Sequence, residues 1–288
     1  MIQDIYPDHF YNQYRPEAKP DMDSPIVLIR GGEILLKVAE NGALDYPRLG
    51  DLRGLDAARP EALTYLFAVN EEEFFLADLY EGVPEDWSIP GGFSWQAMNA
   101  VRRQSLYPQS YVLALFTIIH LISWYRANRY CGKCGGALTN DVKERARFCP
   151  ACGNKIYPRI NPAVIIGVTN GDRLLITKYR TGYGYSALVA GFTEIGETLE
   201  ETVAREVMEE AGIRVKNVRY YKSQPWGVAD DVLMGFYCDV DGDDSLHMDT
   251  GELKYEAWVP REEIVLQPQN YSLTNEMMRM FREGKEPR

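Results

Sequence analysis

One stretch of this 288-residue chain, Gly191 to Ile213, leaves little freedom in how it can fold. Thr198 followed three residues later by Glu201 is a capping box, so a helix is predicted to begin at Leu199. Leu199, Val203, Val207 and Ala211 recur every fourth residue and give that helix one buried stripe. Gly212 is the predicted stop, because glycine accepts the left-handed conformation of a helix end. On another face lie Glu206, Glu209 and Glu210, at spacings of three and four, which bring three carboxylates within reach of one point. Like charges at that spacing destabilise a helix. They suit a hard divalent cation such as Mg²⁺ or Mn²⁺, which takes oxygen ligands. Glu197, in the loop before the helix, offers a fourth carboxylate, and Arg205 is placed to pair with one of the acids and hold it.

Spacing alone favours a solvated acidic face. The whole pattern decides otherwise. Gly, five residues, Glu, seven residues, then Arg-Glu-apolar-any-Glu-Glu-any-Gly-apolar is filled here by Gly191, Glu197, Arg205, Glu206, Val207, Glu209, Glu210, Gly212 and Ile213. In this the chain resembles the Nudix hydrolases. The resemblance implies an α/β/α sandwich with a loop–helix–loop metal site that splits a diphosphate linked to some further group.

The composition sets outer limits. A length of 288 residues suggests two domains with room for a small third unit, and an apolar share of 45% is enough for real cores. A net charge of −11 argues against a broad basic surface for nucleic acid, although metal ions can neutralise one phosphate-bearing small molecule locally. The first residues show no basic segment followed by an apolar run, and the apolar run Tyr111 to Tyr125 is too short for a membrane span and contains His120. A cytoplasmic protein with no membrane partner is the expectation.

Four of the five cysteines form Cys131-Gly-Lys-Cys134, fourteen residues, Cys149-Pro-Ala-Cys152. Two such pairs, each followed by glycine, read as a four-cysteine zinc ribbon holding one structural Zn²⁺. A redox pair and a nucleic-acid-reading ribbon are the rivals. Lys143, Arg145 and Arg147 give the intervening loop positive charge, interrupted by Asp141 and Glu144. Cys238 stands alone in an apolar strand pattern and is expected to be buried.

The expected class is α+β, in three stretches: residues 1–128 as a mostly β domain with connecting helices, 129–158 as the ribbon, and 159–288 as the catalytic sandwich. Ile26–Ile29 and Ile34–Val38 are spaced for one hairpin, and Leu63–Val69 and Phe74–Leu79 for another. Trp95, Met98 and Val101 fit one helix and Pro108–Asn128 a second, with His120 as a core or boundary histidine. Ala163–Thr169 and Arg173–Thr177 flank an Asn-Gly-Asp turn. Ala187–Ala190, Val218–Lys222, Val232–Asp239 and Glu256–Val259 are further strands, and Leu273–Phe281 is a closing helix.

A ribbon that runs through Tyr157-Pro158 into a Nudix domain resembles the NADH pyrophosphatase branch, as does Ser223-Gln224-Pro225-Trp226. The branch continues with Pro-Phe-Pro-x-Ser, whereas this chain reads Gly227-Val228-Ala229-Asp230-Asp231, which puts the substrate in question. The resemblance implies that two or three Mg²⁺ or Mn²⁺ ions are held by Glu206, Glu209, Glu210, the Ala190 carbonyl and Glu256. Glu209 or Glu210 would then deprotonate the attacking water. It further implies that Tyr157 and Phe192 stack on the nicotinamide, that Gln224, Trp226 and Arg102 contact a small dinucleotide substrate, and that the chain forms a homodimer. The implied reaction is hydrolysis of NADH or NAD⁺ to NMN(H) and AMP. Its rivals are another nucleoside diphosphate linkage, such as ADP-ribose, a nucleotide sugar or coenzyme A; the NAD-capped 5′ end of an RNA; and a non-catalytic nucleotide-binding regulator.

Overall fold

The computed structural model describes residues 1–101, 103–182 and 184–287. Arg102, expected among the substrate contacts, lies outside the described residues. The chain forms two compact units, Gln3–Arg159 with Gly227–Asp230, and Met1–Ile2 with Ile160–Trp226 and Asp231–Arg288.

The first unit is built on two small sheets. Strands β1 (Phe10–Tyr11), β2 (Ile26–Val27), β3 (Ile29–Arg30), β4 (Glu33–Val38), β5 (Leu44–Asp45), β6 (Thr64–Val69), β7 (Glu72–Leu76) and β8 (Ser94–Ala97) precede helices α1 (Met98–Val101) and α2 (Gln109–Ala127). One sheet runs β1-β6-β7-β2, and the other runs β3-β4-β5 with β8 on β4. The β6–β7 hairpin is as expected, with a shorter turn, and β3–β4 closes over Gly31-Gly32. Trp95 does not begin a helix. Its main chain pairs with Leu35 of β4, and only one helical turn follows. Three apolar positions at a spacing of three are too few to outweigh a ladder partner. Helix α2 is apolar on all sides and long enough to cross a membrane by composition alone. Val112, Leu115, Phe116, Ile118 and Ile122 are each buried inside this unit, which is the signature of a core helix.

The ribbon belongs to the same unit. Strands β9 (Thr139–Asn140), β10 (Arg147–Phe148) and β11 (Lys155–Ile156) make a three-stranded sheet in the order β11-β10-β9. The four cysteine sulfurs all lie within 4.8 Å of one another, with Cys131 to Cys152 at 3.7 Å and Cys134 to Cys149 at 3.5 Å. A tetrahedral zinc with bonds near 2.3 Å requires sulfur separations of about 3.8 Å, so the donor set fits the ion. One of the ribbon's arginines ties it to the β-sheets, and another braces it from within and against the end of α2. Arg145 donates to the Leu66 carbonyl and Arg147 to those of Leu138 and Asn128, while the Tyr14 hydroxyl donates to the Asp141 carbonyl.

The second unit is an α/β/α sandwich. Strands β12 (Asn161–Asn170), β13 (Arg173–Tyr179), β14 (Val189–Phe192), β15 (Val215–Trp226), β16 (Asp231–Val240) and β17 (Leu253–Pro260) accompany helices α3 (Leu199–Ala211) and α4 (Leu273–Arg282). The sheet order is β15-β16-β12-β13-β17, with β14 pairing β12. Alternation along β12 sorts the core into two layers. Val164, Ile166 and Val168 pack with Val203, Val207 and Ala211 of α3. Ala163 and Ile165 pack with Leu273, Met277 and Phe281 of α4. Cys238 is fully buried in the first of these layers.

The zinc ribbon carries the first prediction. Replacing Cys149 by Ser should abolish zinc retention and lower the melting temperature, because structural zinc contributes folding free energy. Zinc content and thermal melting of the purified variant check this. A Cys149→Ser chain with one zinc and the original melting temperature would refute the four-cysteine site.

Candidate active site

Helix α3 sets the site, and both of its ends are fixed as the sequence requires. The Glu201 carboxylate accepts from the Thr198 main-chain N–H at 2.8 Å, and the Thr198 hydroxyl accepts from that of Glu201 at 3.2 Å. At the other end Gly212 takes φ of 70°. The loop after β16 closes over this end: the His247 N–H donates to the Ala211 carbonyl and the Asp249 N–H to that of Glu210, both at 2.9 Å. These carbonyls have no partner within the helix itself.

With Val203, Val207 and Ala211 turned into the core, Arg205, Glu206, Glu209 and Glu210 occupy the remaining arc. Arg205 organises it. Its Nε donates to Glu197 at 2.6 Å and its Nη1 to Glu206 at 2.7 Å and Glu209 at 2.9 Å, while Nη2 reaches Glu197 and the Phe192 carbonyl, each at 2.9 Å. Glu197 also accepts from the Glu194 N–H and the Thr202 hydroxyl. The Arg205 guanidinium and these donors hold the Glu197 carboxyl down at about 2. Gly191 is required by close approach: a Cβ there would stand 1.9 Å from the Glu206 carboxylate carbon.

Glu210 and Glu256 form the inner wall. Glu210 is 4% exposed, its Oε2 has no partner among the described residues, and neither Glu256 carboxylate oxygen has one. Burial, then the charges of Glu206 and Glu252, pushes Glu210 up to about 8, opposed by a hydrogen bond from the main chain of Ala190. Burial pushes Glu256 up to about 7. Acids this unfavourable as anions are what a divalent cation would stabilise, and the donors are the carboxylate and main-chain oxygens that hard cations take. The carboxylates do not reach the closeness of the cysteines, the one group among the described residues whose ligand atoms fall within 4.8 Å. Arg205 draws Glu206 and Glu209 toward itself, and like charges separate without a cation between them.

The remaining expected residues are distributed unevenly. Phe192 follows Gly191 and leaves 52% of its surface exposed. Trp226 is partly buried against the α4 layer. Gln224 has a structural place of its own. It is fully buried, its amide nitrogen donating to the Tyr271 carbonyl and its oxygen accepting from the Leu273 N–H, so it holds the turn into α4. Tyr157 lies in the first unit, 54% exposed, with its hydroxyl on Glu144 at 2.9 Å. Sequence reasoning missed Glu144 in that role. It also missed Glu252 beside Glu206 and Glu210, and Tyr179, whose hydroxyl is pushed up by burial and then by Glu210 and Glu252. A single acid ahead of a strand carries no spacing signal that would have singled out Glu252.

Comparison with known proteins agrees with this geometry. Residues 159–281 match the NUDIX domain, and residues 126–157 match the NADH pyrophosphatase zinc ribbon domain. The chain carries a Nudix domain. It is similar to the NAD-capped RNA hydrolase NudC of Photorhabdus laumondii, 37% identical over 56% of this chain and 62% of that protein. Its likeness to the NudC of an Enterobacter species is 40% over 52% of this chain and 58% of that one. The chain thus spans about three fifths of the length of the curated relatives it matches. A solved Nudix hydrolase from Nitrosomonas europaea is 24% identical over 54% of this chain and 91% of that one, with a TM-score of 0.47.

The acids of the Nudix helix fix a pH dependence. Between the ordinary value of 4.5 and about 8, Glu210 stays protonated when folded and ionises when unfolded. The folded chain then binds more protons, so stability falls as pH rises through that window. Glu197 acts oppositely, its stabilisation being present above 4.5 and lost as pH falls toward about 2, outside that window. With zinc retained and no Mg²⁺ or Mn²⁺ added, the melting temperature should decline from pH 5 to pH 8, and Glu210→Gln should flatten the decline. An unchanged slope in the variant would contradict the buried, unpaired Glu210.

Proposed function

We propose that this chain hydrolyses the diphosphate bond of NADH or NAD⁺, giving NMNH or NMN together with AMP. The observation that carries the reading is the assembly of Glu206, Glu209 and Glu210 on α3 beside Ala190 and Glu256, in a Nudix domain that follows an NADH pyrophosphatase ribbon. Two or three Mg²⁺ or Mn²⁺ ions, held by those four glutamates and the Ala190 carbonyl, would neutralise the diphosphate and lower the pKa of the attacking water.

The chain's own residues do the rest. Arg205 fixes Glu206 and Glu209 against mutual repulsion and ties the Nudix loop to the helix through Glu197 and the Phe192 carbonyl. Glu209 or Glu210 takes the proton of the attacking water. The water oxygen bonds to one phosphorus as the bridging P–O bond breaks, and the bridging oxygen leaves with the electron pair on the other phosphate. Phe192 offers an exposed ring face next to the box glycine, suited to a planar ring of the substrate. The setting is the cytoplasm, where thiols stay reduced and available to zinc.

The name of the curated relatives supports a second substrate for the same bond, the NAD-capped 5′ end of an RNA. The chemistry would be identical and the second product a 5′-monophosphate RNA. A net charge of −11 favours the free dinucleotide.

Chromatographic product analysis tests the reading. With Mn²⁺ or Mg²⁺ present, NADH should be converted to NMNH and AMP faster than ADP-ribose, a nucleotide sugar or coenzyme A, with NAD-capped RNA run in parallel. Glu210→Gln should reduce turnover by about 10²–10⁴-fold with the circular dichroism spectrum unchanged. Near-normal turnover in that variant would overturn the catalytic assignment.

A further inference from the structure

The inner wall of the carboxylate site contains a hydroxyl that the proposed chemistry does not use. Thr177 lies on β13 in direct register with Glu256 on β17. Side chains directly opposite on antiparallel strands share a face, with Cβ atoms about 4.5–5.5 Å apart. The face is set by their neighbours two residues away: Leu175 and Trp258 both belong to the core layer under α3. Thr177 and Glu256 therefore project together toward the helix that carries Glu206 and Glu210.

Thr177 is fully buried, and its Oγ1 has no partner among the described residues. Its main chain is fixed by Ala187, to which it donates and from which it accepts at 2.9 Å, while its other edge lies in register with Glu256 of β17. Only the side-chain torsion is free. A buried hydroxyl without a partner costs stability that a valine of the same shape would not cost. Across the ladder from Thr177 lies Glu256, both of whose carboxylate oxygens are also buried and unpartnered among the described residues. A carboxylate that binds a cation with one oxygen leaves the other needing a donor, and such supporting hydrogen bonds orient metal ligands.

We propose that Thr177 is a positioning residue for Glu256, its hydroxyl donating, directly or through one water, to the Glu256 oxygen that faces away from a bound divalent cation. The inference rests on the reading of Glu256 as a metal ligand. Thr177 supplies no ligand atom. It lets Glu256 present one defined oxygen where no arginine among the described residues bonds it.

The test is Mn²⁺ titration of the zinc-loaded full chain without substrate, followed by electron paramagnetic resonance, with melting before Mn²⁺ is added as the control for folding. Thr177→Val should weaken Mn²⁺ binding about tenfold without lowering the melting temperature, Thr177→Ser should restore it, and Glu256→Gln should weaken it at least as much. If Thr177→Val binds Mn²⁺ as tightly as the parent while Glu256→Gln does not, the role of Thr177 is refuted and that of Glu256 stands. If Glu256→Gln binds normally, the ligand reading falls and takes this inference with it. A Thr177→Val chain that melts lower, or a Thr177→Ser chain that binds as weakly as Thr177→Val, would make Thr177 a packing residue and overturn the proposal.

Discussion

One guanidinium holds together a group of acids that would otherwise move apart. Arg205 bonds Glu197, Glu206 and Glu209 at once, and the geometry of the second unit follows from the need to keep it there. Like-charge pairs one turn apart cost a helix about 0.2–0.5 kcal/mol each. Burying a valine contributes about 1.5–3 kcal/mol, and α3 buries Val203 and Val207 completely. The core therefore wins over the repulsion, and a capping box worth about 1 kcal/mol adds to the margin. The helix is clamped at both ends, by Thr198 with Glu201 and by the Ala211 and Glu210 carbonyls bound to the following loop. A clamped helix cannot relieve the crowding by fraying, so the strain remains at the carboxylates, where a cation would relieve it.

How much of this was legible in the sequence follows from how local each cause is. The start, stop and buried stripe of α3 depend on residues three or four apart, and all three appear where the spacing put them. Gly191 was legible as part of a pattern, but its reason was not: the atom that excludes a side chain there belongs to Glu206, fifteen positions on. The pairing of Thr177 with Glu256 links strands some eighty residues apart, and no window of sequence contains that register. Trp95 failed in the opposite direction. Its local spacing was helical, and a distant partner on β4 made it a strand.

The basic residues of the ribbon loop change meaning once their neighbours are visible. Read in sequence, Lys143, Arg145 and Arg147 leave open a nucleic-acid surface. In the fold Arg147 is buried, bonded to the Leu138 and Asn128 carbonyls and lying 5.9 Å from the Tyr125 ring. Arg145 bonds the Leu66 carbonyl and stands 5.3 Å from the Tyr14 ring. Lys155, further on, is paired with Asp141 and Glu144. Arg145 thus joins the ribbon to β6, Arg147 and Lys155 brace the ribbon and the end of α2, and charges held in this way are not available to bind phosphates along a strand. Arginine suits that work because its planar donors satisfy several carbonyls while its face lies on an aromatic ring.

The same reasoning bears on the segment after Trp226, where the chain departs from the NADH pyrophosphatase pattern. Read alone, the exchange of prolines and an aromatic for Gly227-Val228-Ala229-Asp230-Asp231 suggests a different substrate. The fold offers a packing cause. A Cβ on Gly227 would stand 2.0 Å from the Phe116 carbonyl oxygen of α2, so no other residue fits that approach. Asp230 adopts φ of 60°, accepts from the Ser123 hydroxyl at 3.2 Å and lies 3.7 Å from the His120 ring nitrogen. That nitrogen also lies 2.6 Å from the Arg159 carbonyl oxygen, which makes His120 the boundary histidine its sequence context implied. The glycine and the first new acid are thus accounted for by contacts with α2. A change that the packing requires is no sign that the substrate changed. The departure therefore weighs less against a nicotinamide dinucleotide than it does when the sequence is read without the fold.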